Sequence, residues 1–238
     1  MAGMTKDRTS ACWRRHAWRL LLCAVLLAEG AGSARAQQFS ADIATLQGDV
    51  AKIVGRLAVR DGMVRIETAE HPDGFFLVDA SAAKPSAYFV RPAAQVYMDA
   101  RQSSRLTRLF VPVDPDAPCP QWQAMARLAG ADGEGEWHCE RAADETINGR
   151  DAIVFRVAAG AGQGYAAAID RARRFPLRIT TGAGVVLALE NIRDEPQPAS
   201  FFELPQGLRK FSPEALIERI KQSDVWVAKP ADAPASRP

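Results

Sequence analysis

The side chains that could do chemistry in this sequence are few and poorly grouped. After residue 36 there are two histidines, His71 beside Pro72 and His138 beside Cys139, and each is interpreted as a surface or loop residue rather than a general base. No G-x-S-x-G, H-E-x-x-H or P-loop motif occurs anywhere in the chain. The sequence therefore predicts no catalytic residues, no cofactor and a protein that is not an enzyme.

Charged clusters that might bind ions are interpreted as solvated loops. Asp114 and Asp116 lie in a proline-rich stretch, but a calcium cage needs six or more oxygens at fixed spacing. Arg171, Arg173 and Arg174 cluster at a turn and could contact a phosphate or an anionic lipid head group, although solvated hairpin charge is the favoured interpretation. We therefore predict no metal site.

The N-terminal 36 residues have the layout of a cleaved secretory signal. Residues 1–19 are basic, residues 20–28 form an apolar run, and Ala34-Arg35-Ala36 fits the site that signal peptidase cleaves. Nine apolar residues span only about half of the ~30 Å bilayer core, which disfavours a membrane anchor. We therefore expect a periplasmic protein that begins at Gln37 and has no transmembrane segment after cleavage.

The composition is that of an ordinary globular protein. The 238 residues are 47% hydrophobic and 24% charged, with a formal net charge of +2, which argues against a disordered or multi-span membrane chain. The predicted signal carries six basic and two acidic residues, so the remaining chain has a net charge of −2. A chain without a basic excess is not expected to bind nucleic acid.

Cys119 and Cys139 are the two of the four cysteines that follow residue 36. Cysteine pairs of exported proteins usually oxidise, and closing a loop of about 20 residues stabilises a fold by roughly 3 kcal/mol in the chain-entropy model. A redox or metal site is the alternative, but there is no CxxC motif and His138 adds too few ligands for zinc. A structural disulfide is therefore predicted.

Short strands separated by turn residues account for most of the mature chain. Residues 52–60 alternate apolar and basic side chains, and Asp61-Gly62 is typical of a tight hairpin turn into residues 63–67. The same signals predict further strands over residues 75–78, 87–90, 95–98, 152–157, 165–169, 176–181 and 185–190. This pattern predicts a mainly β fold, in which a curled antiparallel sheet forms an unclosed half-barrel.

Helix signals are few, so the helices are expected to serve as a lid or plug for the sheet. Pro120 fits the first turn of a helix over residues 121–128, and Ser212 fits the cap of a C-terminal helix. The apolar stripe of that last helix, the predicted lid, consists of Leu216, Ile217 and Ile220. We expect a signal peptide over residues 1–36, a single domain over 37–227 and a disordered Pro/Ala-rich tail over 228–238.

Three stretches carry a family resemblance. They are Phe39-Ser-Ala-Asp42 with the strand pair at 55–59 and 64–66, the strand ending at Ile169-Asp170 before Pro176-Leu-Arg-Ile179, and Phe202-Glu-Leu-Pro-Gln-Gly207. In that order they resemble a distant branch of the periplasmic lipoprotein-carrier superfamily of LolA, LolB and RseB, over most of residues 38–211. The resemblance implies an unclosed barrel with helices plugging its open side over an apolar cavity. It also implies an acyl chain or a protein partner as ligand.

The sequence differs from the carriers at two points, and these limit which of their features can be transferred to it. The carriers begin with an amphipathic helix, whereas the predicted cleavage leaves two residues before Phe39. The arginine by which carriers contact the lid aligns with Asp61, so its role is not transferred to this chain.

The remaining candidate site is the inner face of the curled sheet. Alternation places eleven apolar side chains there, and we expect them to line a cavity for acyl chains or, as the alternative, to fill a solid core. They are Ile53, Leu57, Val59, Val64, Ile66, Phe75, Leu77, Leu177, Ile179, Leu187 and Leu189.

Two functions follow from these alternatives. The first is a non-enzymatic periplasmic protein that binds a lipid or lipidated protein in the half-barrel, in outer-membrane or lipoprotein traffic. The second is a protein-interaction or envelope-stress regulatory module with a packed, ligand-free barrel. In that case Val225, Trp226 and the tail would form the contact surface for an envelope protein partner.

Overall fold

A computed structural model describes residues 37–48, 50–81, 84–100, 106–130, 136–159 and 164–222 of the chain. The predicted signal peptide at 1–36, the predicted disordered tail at 228–238 and the residues Val225 and Trp226 lie outside the described residues. Those predictions therefore stay predictions.

Twelve strands form one sheet that is not closed into a barrel, as predicted. Its order is β12-β6-β5-β4-β3-β2-β1-β11-β10-β9-β8-β7, and the neighbours are antiparallel except for the parallel pair β6 and β12. The strands are β1 (Gln38–Gln47), β2 (Val50–Arg60), β3 (Met63–Thr68), β4 (Phe75–Asp79), β5 (Ser86–Arg91), β6 (Val96–Asp99), β7 (Trp137–Ile147), β8 (Arg150–Ala159), β9 (Tyr165–Asp170), β10 (Phe175–Thr181), β11 (Val186–Arg193) and β12 (Arg209–Lys210).

Tight turns join the predicted hairpins where the sequence indicates them. Asp61 and Gly62 have φ values of 50° and 89°, and Asn148 and Gly149 have values of 50° and 74°. Asparagine, aspartate and glycine tolerate this left-handed region better than other residues, which is why these pairs make two-residue hairpin turns. Both turns therefore follow from local sequence, although strand β7 itself was not predicted.

Three short helices occur among the described residues: α1 (Leu106–Leu109), α2 (Cys119–Leu128) and α3 (Pro213–Gln222). Pro120 lies in the first turn of α2, as predicted. The predicted disulfide is present: Cys119 of α2 bonds to Cys139 of β7, with their Cα atoms 5.7 Å apart. None of the described helices is long and apolar enough to cross a membrane.

The main hydrophobic core lies on the face of the sheet that packs against the segment containing α1 and α2, and we call this the inner face. Side chains of β1 to β5 and β8 to β11 contribute to it, together with Phe110, Val111, Val113, Trp122 and Met125 from the helical segment. Two smaller clusters lie on the opposite, outer face. One contains Phe75, Leu77 and Val90, and the other contains Ala152, Ala168 and Leu177.

Three strands, β1, β7 and β12, were not predicted from the local sequence. Strand β1 lies in the middle of the sheet between β2 and β11. Its inner-face residues Phe39, Ala41 and Ile43 are each no more than 1% exposed. Strand β7 forms one edge of the sheet and carries charged residues along its length, which discourages pairing with other chains.

Candidate functional site

Most of the predicted cavity residues lie together on the inner face. Seven of the eleven belong to the main core, and each is no more than 8% exposed. They are Leu57, Val59, Val64, Ile66, Ile179, Leu187 and Leu189. Their side chains form a continuous apolar surface across neighbouring strands, and the role of this surface in ligand binding stays a prediction.

Ile53 does not face inward, contrary to the prediction from alternation. In the pairing of β1 with β2, Ile43 lies opposite Gly55 but Ala44 lies opposite Ile53, so Val54 is an extra, bulged residue. A bulge of one residue shifts the alternation, and every side chain beyond it changes face. Ile53 is therefore on the outer face and is 47% exposed, while Val54 packs against the main core.

Three further residues of the predicted set also lie on the outer face. Residues 75–78 of β4 are an uninterrupted apolar run, and the pairing of β4 with β3 turns Phe76 and Val78 inward, so that Phe75 and Leu77 face outward. A register shift between Pro176 and Arg178 leaves Leu177 bulged, and its side chain packs on the outer face. The predictions for these positions were wrong because alternation alone does not determine the face of a uniform or bulged strand.

The helical segment fills the space over the inner face. Trp122 is 1% exposed, its ring centroid is 5.5 Å from that of Tyr165, and Phe110 stacks on Phe175 at 6.5 Å. The Trp122 Nε1 group donates a hydrogen bond to the Leu109 carbonyl at 3.2 Å, which joins α1 and α2 to each other. We call residues 106–128 the plug.

Three side-chain polar atoms next to the plug are buried and have no hydrogen-bond partner among the described residues. They are Gln121 Oε1 on α2, Trp137 Nε1 on β7 and Tyr165 Oη on β9. Burial raises the pKa of Tyr165 far above its ordinary value, because the ionised phenolate loses its hydration there; nearby Arg108 acts weakly in the opposite direction. The space between the inner face and the plug is therefore mainly apolar, with a few buried polar atoms beside it.

The predicted lid does not cover the core. Leu216 and Ile217 of α3 are 45% and 51% exposed, and the side chain of Ile220 lies outside the described residues. The plug covers the inner face instead of this helix.

The arginine cluster at the β9–β10 turn is paired with carboxylates rather than simply solvated. Arg173 binds Asp170, with its Nη1 2.5 Å from Oδ2, and also contacts Asp194, while Arg174 lies 3.3 Å from Asp114. Burial disfavours the charged form of Arg173, but its hydrogen bonds to Asp194 and Asp170 outweigh this effect and raise its pKa. These arginines stabilise the turn and its neighbours and do not form an open anion site.

An open cleft of about 600 Å³ lies at the end of the sheet where β3 ends and β4 begins. His71 is in its wall, with its ring 5.3 Å from that of Phe89. The carboxylate of Asp73 binds Arg91, and this hydrogen bond lowers the pKa of Asp73. The main apolar lining residues are Ile53, Val54, Pro72, Phe75, Pro92 and Ala93.

No three His, Cys, Asp or Glu side chains of the described part of the chain are grouped so that they could hold a metal ion. Cys119 and Cys139 are consumed by the disulfide, and His138 is next to Glu136 at 3.5 Å on the surface.

Comparison with known proteins gives matches to solved structures alone. Neither a family model nor a curated protein matches this chain. An uncharacterised conserved protein of Thermus thermophilus matches with 8% identity over 79% of this chain and 98% of its own, at a TM-score of 0.43. A LolA superfamily protein of Nitrosomonas europaea matches with 16% identity over 70% of this chain and 89% of its own, at a TM-score of 0.31.

A third match is the MucA/MucB complex of Pseudomonas aeruginosa, with 12% identity over 74% of this chain and 59% of the matched chain, at a TM-score of 0.33. The presence of a LolA superfamily protein among these structures agrees with the resemblance stated from the sequence.

Proposed function

We propose that this chain is a non-enzymatic periplasmic protein that binds an acyl chain, from a lipid or a lipidated protein, between the inner face and the plug. The observation that carries the proposal is the apolar inner face, which spans nine strands and is covered by one short segment of chain instead of a second sheet. Each methylene buried there contributes roughly 0.8 kcal/mol, so a long acyl chain needs no polar partner.

Binding in this mode requires the plug to move, because the inner-face side chains are already buried. The hydrogen bond from Trp122 to Leu109 lies within residues 106–128, so it is retained when the plug moves as a unit. The disulfide from Cys119 to Cys139 keeps the plug attached to the edge strand β7. When the plug moves, the inner face therefore loses its apolar contacts with Trp122 and Met125 and gains contacts with the acyl chain.

Native mass spectrometry of the protein purified from its own envelope, together with displacement of a fluorescent fatty-acid probe, tests the proposal. Ala167 and Ala168 are adjacent buried residues of β9 on the inner and outer faces, and they provide a matched pair. We expect Ala167→Leu to weaken probe binding and Ala168→Leu to leave it unchanged, with folding of both variants checked by circular dichroism. Absence of both co-purified lipid and probe binding would count against an acyl-chain ligand.

A second candidate is a protein-interaction or envelope-stress module whose half-barrel stays packed. It is favoured by the low exposure of the seven inner-face residues and by the exposed apolar residues Leu216 and Ile217 on α3. Periplasmic crosslinking with and without residues 212–238 tests it, because a partner that depends on this helix and tail disappears from the crosslinked products on deletion. A partner that survives the deletion would exclude this surface.

A further inference from the structure

The sheet has a step at one end, where β2 continues further than its neighbour β3. Strand β2 begins at Val50, but β3 pairs with it only from Gly55 onward, opposite Thr68. The chain then turns away, with the Ala69 amide donating to the Val54 carbonyl at 3.1 Å. Among the described residues, no strand pairs with residues 50–53 on the side away from β1.

The exposed part of this edge is apolar. Val50 is 70% exposed and Ile53 is 47% exposed, and Lys52 is the one charged residue between them. Unpaired main-chain groups beside exposed β-branched side chains form a template for another strand, and proteins usually protect such edges with charges or bulges. The edge strand β7, by contrast, carries Glu140, Arg141, Asp144 and Glu145 along its length. The exposed β2 edge carries one charge, Lys52, and the bulge at Val54 lies at its end.

The cleft of about 600 Å³ occupies the space beyond the step. Ile53, Val54 and Gly55 form one side, and residues 71–74 with Pro92 and Ala93 form the other. A peptide paired along residues 50–53 would span about 13 Å and would reach the cleft at Ile53, the one residue of the four that lines it. The cleft therefore offers a position in line with β3 for a short extended peptide.

The charges around the cleft are paired within the protein. Arg65 binds Glu67 at 2.7 Å, Arg91 binds Asp73, and Arg56 lies 3.4 Å from Asp42. These pairs leave the lining with balanced charge, which does not suit a polyanion, a phosphorylated ligand or a cation. Recognition by unpaired main-chain groups and apolar side chains suits an uncharged extended polypeptide.

We propose that residues 50–53 and the adjoining cleft bind an extended apolar segment of a partner protein by strand addition to β2. The peptide continues the line of β3, its main chain pairs with β2, and its alternate side chains contact Ile53, Pro72 and Pro92. The site lies at the end of the sheet, and no residue of the plug lines the cleft, so the peptide binds outside the space between the inner face and the plug.

The test uses a displayed library of random decapeptides selected on the purified protein, with the best peptide synthesised and its binding measured by calorimetry. N-methylation of alternate peptide residues removes the amide donors from one edge at a time. Strand addition predicts a loss of about tenfold when one edge is methylated and little change for the other. Hydrogen exchange is expected to slow at residues 50–53 when the peptide binds.

Val185 provides a matched control for Ile53, since both are β-branched and 47% exposed, and Val185 does not line the cleft. We expect Ile53→Glu to weaken peptide binding about tenfold and Val185→Glu to leave it unchanged. The proposal is overturned if no peptide is selected, if both methylated edges behave alike, or if protection appears away from residues 50–53. The proposal is also overturned, in favour of self-association, if the protein binds no peptide but forms a dimer that Ile53→Glu abolishes.

Discussion

At the scale of the residue, Tyr165 is an unusual member of the core. Its ring packs against Trp122 on the inner face, yet its hydroxyl is buried and finds no hydrogen-bond partner in the part of the chain that the structure describes. An unsatisfied buried hydroxyl costs free energy that a phenylalanine at the same position would not. The residue therefore contributes to packing through its ring and makes the interior sensitive to alkaline pH through its hydroxyl.

We predict that Tyr165→Phe is at least as stable as the native protein at neutral pH and more stable than it in alkali. Burial raises the pKa of Tyr165 in the folded state, whereas the unfolded phenol ionises near pH 10. The stability contributed by the neutral phenol is therefore fully present below about pH 10 and is lost as the pH rises beyond it. Urea unfolding between about pH 8 and pH 11 measures this difference.

Tyr88→Phe is the control for this experiment, because Tyr88 packs in the outer-face cluster with Tyr97. It should leave the alkaline fall in the free energy of unfolding close to that of the native protein. If the free energy of unfolding of the native protein and that of Tyr165→Phe fall in parallel as the pH rises, burial of this hydroxyl does not control the alkaline loss of stability.

At the scale of the element, the bulge in β2 decides which apolar residues enter the core. Leu57 lies on one side of the bulge at 2% exposure, and Ile53 lies on the other at 47%. Equivalent truncations at these positions therefore have different costs, although the two side chains are similar in size and lie on one strand.

We predict that Leu57→Ala lowers the free energy of unfolding by about 2–5 kcal/mol and that Ile53→Ala lowers it by less than about 1 kcal/mol. The first substitution leaves a cavity in the main core, and the second removes side-chain atoms that solvent already reaches. Urea unfolding monitored by tryptophan fluorescence measures both changes. Equal losses would mean that alternation continues through Val54 without a bulge.

The disulfide joins the plug helix α2 to the edge strand β7. We predict that the double variant Cys119→Ser, Cys139→Ser loses roughly 3 kcal/mol of stability, because the unfolded chain is freed from a 20-residue loop. Urea unfolding with and without a reductant measures it. Reductant should lower the free energy of unfolding of the native protein by a similar amount and leave that of the variant unchanged. If reductant does not change the stability of the native protein, the disulfide does not stabilise the fold.

At the scale of the whole molecule, the core is complete without the C-terminal helix. Residues from nine strands and the plug make up the main cluster, and Leu216 and Ile217 are not part of it. We predict that deleting residues 213–238 changes Tm by less than about 2 °C, since a loss of 1 kcal/mol corresponds to about 2–4 °C for a chain of this size. Differential scanning calorimetry measures the change. A fall of many degrees would show that α3 packs on the sheet as a lid.

Much of this architecture could be predicted from the sequence because it depends on local interactions. Asp61-Gly62 and Asn148-Gly149 determine two hairpin turns through the backbone conformations that these residues tolerate. The disulfide could be predicted because two cysteines remain after residue 36, so a single pairing is available. The mainly β class followed from many short strands between such turns.

The composition of the inner face was decided by the tertiary structure. Phe75 and Leu77 belong to a uniform apolar run, and only pairing with β3 determines which side of β4 faces the core. Ile53 and Leu177 are displaced by bulges, which arise where neighbouring strands differ in register. Alternation specifies which side chains of a strand share a face, whereas long-range pairing specifies which face is buried, and this is why the sequence alone indicated the half-barrel but not its full lining.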